Sequence, residues 1–181
     1  DSLPLPARHL LNYNEQKGHS VRGFSNKIRS AELFTSRGCP IGYTFCAIQA
    51  TFGKKVRYHS IDRIAAELDQ CIKEHDVNHI IIADDTFSLN QSRAFAICDL
   101  LDSSSVSSWN CDTRVNTVTD ELLRKMKSSR CQKVAFGVDE RDDAPGRRGG
   151  ALVGDGAFDR NGFAKWLAGT GAAVQDRHRK P

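Results

Sequence analysis

The sequence predicts an α/β fold of about four parallel β-α units, and three observations carry that reading. Ile61, Ile64, Ala65, Leu68 and Ile72 recur at steps of three and four, the stripe of an amphipathic helix. Ile80-Ile81-Ile82 forms an apolar run without polar alternation, as expected of a strand covered on both faces in a parallel sheet. Strand and helix candidates then alternate regularly up to residue 138.

Residues 1–30 hold Pro4, Pro6, Asn12, Asn14, Gly18 and Gly23 without a sustained period, so they read as a linker or arm that Leu3, Leu5, Leu10 and Leu11 would pin to a neighbour. A short strand at 31–35 runs into a cysteine-containing loop. Ser60 is placed to cap a helix that has Asp62 in its first turn and runs to about His75. A second strand at 78–83 ends in Asp84-Asp85, and a second helix spans 91–101. A third strand at 109–114 leads to a helix over 120–128, capped by Thr119, and a fourth strand covers 133–138. Parallel strands joined by helices gather their working residues at the strands' carboxyl ends. The cysteine loop, Asp84-Asp85, Arg114 and Asp139-Glu140 all fall there, which predicts one shared site.

Composition changes near residue 140. From Arg141 to Pro181 there is no Ser, Ile or Cys, and 8 of the 14 glycines lie in this stretch. The segment 141–181 reads as a disordered Gly/Arg-rich tail with at most a short helix at 163–167, and a frameshift would produce the same break.

With 181 residues, 39% hydrophobic and 27% charged, the chain has the make-up of one globular domain. A net charge of +4 with scattered basic residues gives no nucleic-acid footprint. No apolar run approaches the roughly 18 residues of a membrane span, and no secretory signal is present, so the cytoplasm is the expected location. The six cysteines are spread along the chain, which argues for reduced thiols. Cys71, Cys98, Cys111 and Cys131 fall within helix or strand periods and read as core, and the histidines show no zinc-ligand spacing. The chain begins at Asp1, which suggests a piece of a longer product.

Cys39 and Cys46 frame the run Cys39-Pro40-Ile41-Gly42-Tyr43-Thr44-Phe45-Cys46. Taken alone they are two small buried hydrophobes, since free cysteine is among the most buried residue types. Their setting points elsewhere. With Ser36-Arg37-Gly38 before them, Phe45 just ahead of Cys46 and Thr51-Phe52-Gly53-Lys54-Lys55-Val56-Arg57-Tyr58 after, the run resembles the cluster loop of the radical S-adenosylmethionine (SAM) family, Cys-x3-Cys-x2-Cys. It resembles in particular the cobalamin-dependent branch that includes the anaerobic magnesium-protoporphyrin cyclase. Leu3-Pro4-Leu5-Pro6-Ala7-Arg8 is similar to the linker that follows that branch's cobalamin-binding domain, which this chain does not contain, and Trp109–Arg114 is similar to its third strand.

The resemblance implies a partial (β/α) TIM-like barrel, with about four of some six units present. It implies a [4Fe-4S] cluster held by three cysteines, SAM on the fourth iron, a reductant, and a small-molecule substrate undergoing methyl transfer or cyclisation; cobalamin belongs to the full-length family. Cys39 and Cys46 match the first and third metal ligands, and Phe45 the aromatic beside the adenine. Tyr43 stands at the second ligand position, where a phenol replaces a soft thiolate. One of Asp84 and Asp85 would receive the amino group of SAM, as paired acids suit an ammonium, while a turn with a helix cap is the plainer alternative. Arg114 would grip a carboxylate, or form a surface ion pair. Asp139 lies where the branch has Gly-x-Glu-Ser-Gly, and the match decays there.

Three readings follow: a radical SAM core fragment with inherited cluster and SAM sites, a non-catalytic remnant with an impaired cluster site, and a small α/β binding module using its acidic strand ends. The first explains the most residues.

Overall fold

The computed structural model describes residues 1–10, 28–42, 46–138 and 150–155. Its elements in chain order are β1 (Ser30–Leu33), β2 (Ser36–Arg37), α1 (Ile48–Phe52), β3 (Arg57–Tyr58), α2 (Ile61–His75), β4 (His79–Ile82), α3 (Gln91–Ser103), β5 (Ser108–Arg114), α4 (Asp120–Ser128), β6 (Cys131–Val138) and β7 (Gly150–Asp155). The main sheet runs β1-β4-β5-β6-β7, its first four strands parallel. The four expected β-α strands are therefore present, each beside its successor. The short elements α1, β2 and β3 were not expected, because five-residue and two-residue elements leave no period to read.

Local chemistry sets the helix starts. Ser60, Asn90 and Thr119 each accept a hydrogen bond from the backbone N–H three residues on, satisfying donors that a first turn leaves without partners. The stripe Ile64, Leu68, Cys71 of α2, with Ala94, Ile97, Cys98, Leu101 of α3 and Leu122, Leu123, Met126 of α4, packs on one face of the sheet. That face is built from register partners: Ala31 beside Ile80 beside Trp109, and Leu33 beside Ile82 beside Cys111 beside Val134. Trp109 is fully buried and its indole N–H donates to the Ser129 carbonyl at 2.7 Å.

Glu32, Ile81, Asn110 and Lys133 form the register row on the opposite face, where Glu32 is exposed and Ile81 only half-buried. The sheet is thus not covered on both sides as the apolar run suggested. Helices on one face of a parallel sheet make a segment of a barrel wall, whereas a doubly wound sheet carries them on both. The architecture is α/β and partial TIM-like.

Two further expectations change. The arm is pinned by Arg8, whose guanidinium donates to Glu67 at 2.6 Å and to the Glu32 carbonyl at 2.8 Å, while Leu3 and Leu10 are exposed. A planar fork of donors reaches a carboxylate and a carbonyl together, which a leucine cannot do. At the other end, the tail expected to be disordered from 141 contains β7, which pairs antiparallel with β6 from Lys133 opposite Asp155 to Val138 opposite Gly150. The outer edge of β6 would otherwise present a row of unmet backbone donors and acceptors. The rest of 141–181, including the helix expected at 163–167, lies outside the described residues.

Breaking the Arg8–Glu67 pair from one side leaves a buried charge. Arg8→Met should cost about 3 kcal/mol by urea unfolding, and adding Glu67→Leu should recover most of it. His79 is buried with Nδ1 at 2.7 Å from the Ser108 hydroxyl, and burial lowers its pKa from 6.5 to about 4. Between those values the unfolded chain takes up a proton that the folded chain refuses. Stability present above pH 6.5 is therefore lost as pH falls through that window, by up to about 1.4 kcal/mol per pH unit. His79→Leu should flatten that part of the stability profile.

Candidate functional site

β1 hands the chain to a lobe closed at its base by the two-residue pairing of β2 with β3, Ser36 opposite Tyr58 and Arg37 opposite Arg57. Inside the lobe lie Cys39, Cys46 and α1. Phe34 packs against Phe52 of α1 at 6.4 Å between ring centroids, with the Arg37 guanidinium 5.5 Å from the Phe34 ring. Gln49 of α1 donates from Nε2 to the Ile41 carbonyl at 2.9 Å, so the short helix holds the stretch after Cys39. Gly38 has φ of +96°, and a Cβ there would lie 2.5 Å from the Lys55 carbonyl oxygen. Only glycine allows both that backbone conformation and that approach.

The acid pair at the end of β4 meets this loop directly. Asp84 is 4% exposed, and each of its oxygens accepts two hydrogen bonds. Oδ1 takes the Thr35 N–H at 2.6 Å and the Ser36 N–H at 2.9 Å; Oδ2 takes the Thr35 hydroxyl and the Ser36 hydroxyl, the latter at 2.7 Å. Asp85 is half-buried, and its Oδ2 accepts the Gly38 N–H at 3.1 Å. Burial raises the Asp85 pKa, the Gly38 N–H partly offsets this, and the charge of Asp84 raises it further. The carbonyl of Thr35 accepts from Arg93 of α3 at 2.8 Å and from the His59 N–H at 3.0 Å, and Arg93 lies over the Tyr58 ring at 5.0 Å.

Arg114 closes β5, the strand next to β4, and its Nε donates to Asn116 at 3.2 Å. The structure thus brings the cysteine loop and both acids into contact and places Arg114 at the neighbouring strand end. Cys39 is buried and Cys46 half-buried. Tyr43, Phe45 and Asp139 lie outside the described residues. Sequence reading missed Thr35, Ser36 and Arg93. The hydroxyl pair just ahead of the loop was a usable signal, whereas Arg93, on a helix 58 residues from Thr35, offered none.

The donors can be tested against an iron–sulfur cluster. Such a cluster takes several soft thiolates from one short run. The loop supplies two, and position 43 supplies a phenol. Cys71, Cys98, Cys111 and Cys131 are buried in the core as expected, where burial pushes the Cys71 thiol up to about 11 and Cys98 to about 12, disfavouring the thiolate a metal needs. Among the described residues no three His, Cys, Asp or Glu side chains are gathered to hold a metal. The set falls one thiolate short of a complete cluster site.

Known proteins extend this picture. The uncharacterized methyltransferase PH0819 of Pyrococcus horikoshii is 34% identical over 140 residues, covering 77% of this chain and 29% of its own length. The anaerobic magnesium-protoporphyrin IX monomethyl ester cyclase of Cereibacter sphaeroides is 25% identical over 117 residues, 62% of this chain and 19% of its own. It belongs to the cobalamin-dependent branch that the loop resembles. A solved structure of the cobalamin-dependent S-adenosylmethionine radical enzyme OxsB, with aqua-cobalamin and S-adenosylmethionine bound, covers 60% of this chain and 18% of its own at 22% identity and a TM-score of 0.49. The chain spans less than a third of the length of either curated relative. The Radical SAM superfamily pattern matches residues 33–160, running past the break in composition near residue 140. A loop bearing two of the pattern's three cysteines, held at the carboxyl ends of β1 and β4 in a one-sided parallel sheet, agrees with that match, and the chain belongs to the radical SAM superfamily.

Proposed function

We propose that this chain forms the first part of a radical SAM core, with a SAM site at the carboxyl ends of β1, β4 and β5 and an iron–sulfur site in the loop from Cys39 to Cys46. The observation that carries the proposal is the direct tie between the acid pair of β4 and the segment leading into Cys39. In this family a [4Fe-4S] cluster supplies the electron that cleaves SAM to a 5′-deoxyadenosyl radical. Relatives named as a methyltransferase and a cyclase make methyl transfer or cyclisation of a small molecule the matching outcomes, with a reductant feeding the cluster.

Each residue has a role that its chemistry suits. Cys39 and Cys46 are the thiolate ligands. Asp85 keeps Oδ1 without a partner among the described residues and is the acid for the SAM ammonium. Arg114 presents a planar fork to a carboxylate, and Phe45 stacks by the adenine. Tyr43 favours a second reading, a copy that keeps the SAM pocket but assembles the cluster incompletely. Reductive cleavage is therefore not assigned to the chain with Tyr43 in place.

Anaerobic reconstitution with iron and sulfide separates these readings. Tyr43→Cys should raise bound iron and the broad visible absorbance of a cluster severalfold over the unchanged chain; equal, low iron in both removes the cluster assignment from this loop. Asp85→Asn should weaken SAM about tenfold by equilibrium dialysis, the loss of about one charge-assisted hydrogen bond. Because the Asp85 pKa is raised above 3.8, SAM affinity of the unchanged chain should fall as acidification protonates that carboxylate, and the variant should lack this dependence.

A further inference from the structure

Asp84 and Asp85 are neighbours in sequence with different work to do. A carboxylate offers about four lone-pair sites, and Asp84 has four donors on it, two N–H and two O–H groups from Thr35 and Ser36. Nothing remains on it for an ammonium. It is buried, and its donors lie 48 and 49 residues away in sequence, so it ties two segments that the chain itself does not hold together. The tied segment continues through Arg37 and Gly38 into Cys39, whose N–H donates to the Gly53 carbonyl at 3.4 Å.

We infer that Asp84 is a positioning residue that sets the path of Thr35 and Ser36, and through it the placement of Cys39, without contacting SAM. The inference deepens the proposed site and rests on it only for the purpose of the placement; the tie itself stands on geometry. Asparagine has the same shape but points an NH2 donor at two of the four donors, so it cannot replace the carboxylate. Thr35 contributes both N–H and O–H, so serine at 35 keeps the tie while valine removes one quarter of it.

Alkylation by iodoacetamide, with rates mapped separately to each cysteine by mass spectrometry, tests this on the chain as it exists. Asp84→Asn should speed labelling of Cys39 at least tenfold, with Cys98 and Cys111 in the core unchanged. Thr35→Val should speed Cys39 by a smaller factor, and Thr35→Ser should retain the original rate. An unchanged Cys39 rate in Asp84→Asn overturns the inference. So does a rise at Cys39 matched at Cys98 and Cys111 in both Asp84→Asn and the milder Thr35→Val, because a purely global loosening moves all three. Failure of Tyr43→Cys to gain iron would remove the cluster from the loop and leave these labelling rates as they are, so the two results are separable.

Discussion

One buried carboxylate, Asp84, holds the first strand's exit against the second strand's end. Its four donors come from two consecutive residues, each offering backbone and side chain to the same group. Hydrogen bonds to a charged group are the stronger kind, and these sit where water does not compete. Around the tie, Gly38 turns the chain, Asp85 takes the next free N–H, and Arg93 anchors the Thr35 carbonyl from α3. The whole lobe from Gly38 to Val56 hangs on this short segment and on two ladder pairs, Ser36 with Tyr58 and Arg37 with Arg57.

The sheet supplies the other constraint. Helices on one face leave the opposite face to polar and half-buried side chains, Glu32, Ile81, Asn110 and Lys133 in one register row. A barrel wall has this asymmetry because its inner face looks into the enclosed space rather than onto a second helix layer. Loops at the strands' carboxyl ends then surround that space, and the cysteine loop, the acids and Arg114 all occupy that rim.

Cysteine divides into two populations by environment. Four thiols fill the core, and desolvation keeps those of Cys71, Cys98 and Cys111 protonated. Cys39 and Cys46 stand in a loop held by side chains from elsewhere, which is the setting a ligand needs. The phenol at Tyr43 interrupts that series, and the family membership of the chain does not supply the missing sulfur.

The sequence by itself determined the β-α order, the caps at Ser60 and Thr119, the extent of α2 and α4, and the loop that names the family. These are local: a period of 3.6, a hydroxyl ahead of an apolar stripe and a spaced cysteine pair are all written within a few residues. Three things only the tertiary structure decided. Arg8 rather than leucine pins the arm, because its partners Glu67 and the Glu32 carbonyl come from distant segments. Gly150–Asp155 is a strand because β6 needs an edge partner, which no local propensity states. The two adjacent acids, which read alike in sequence, part company because the fold delivers four donors to Asp84 and one to Asp85. How many donors reach a buried carboxylate depends on which segments pack beside it, and that information exists only once the chain has folded.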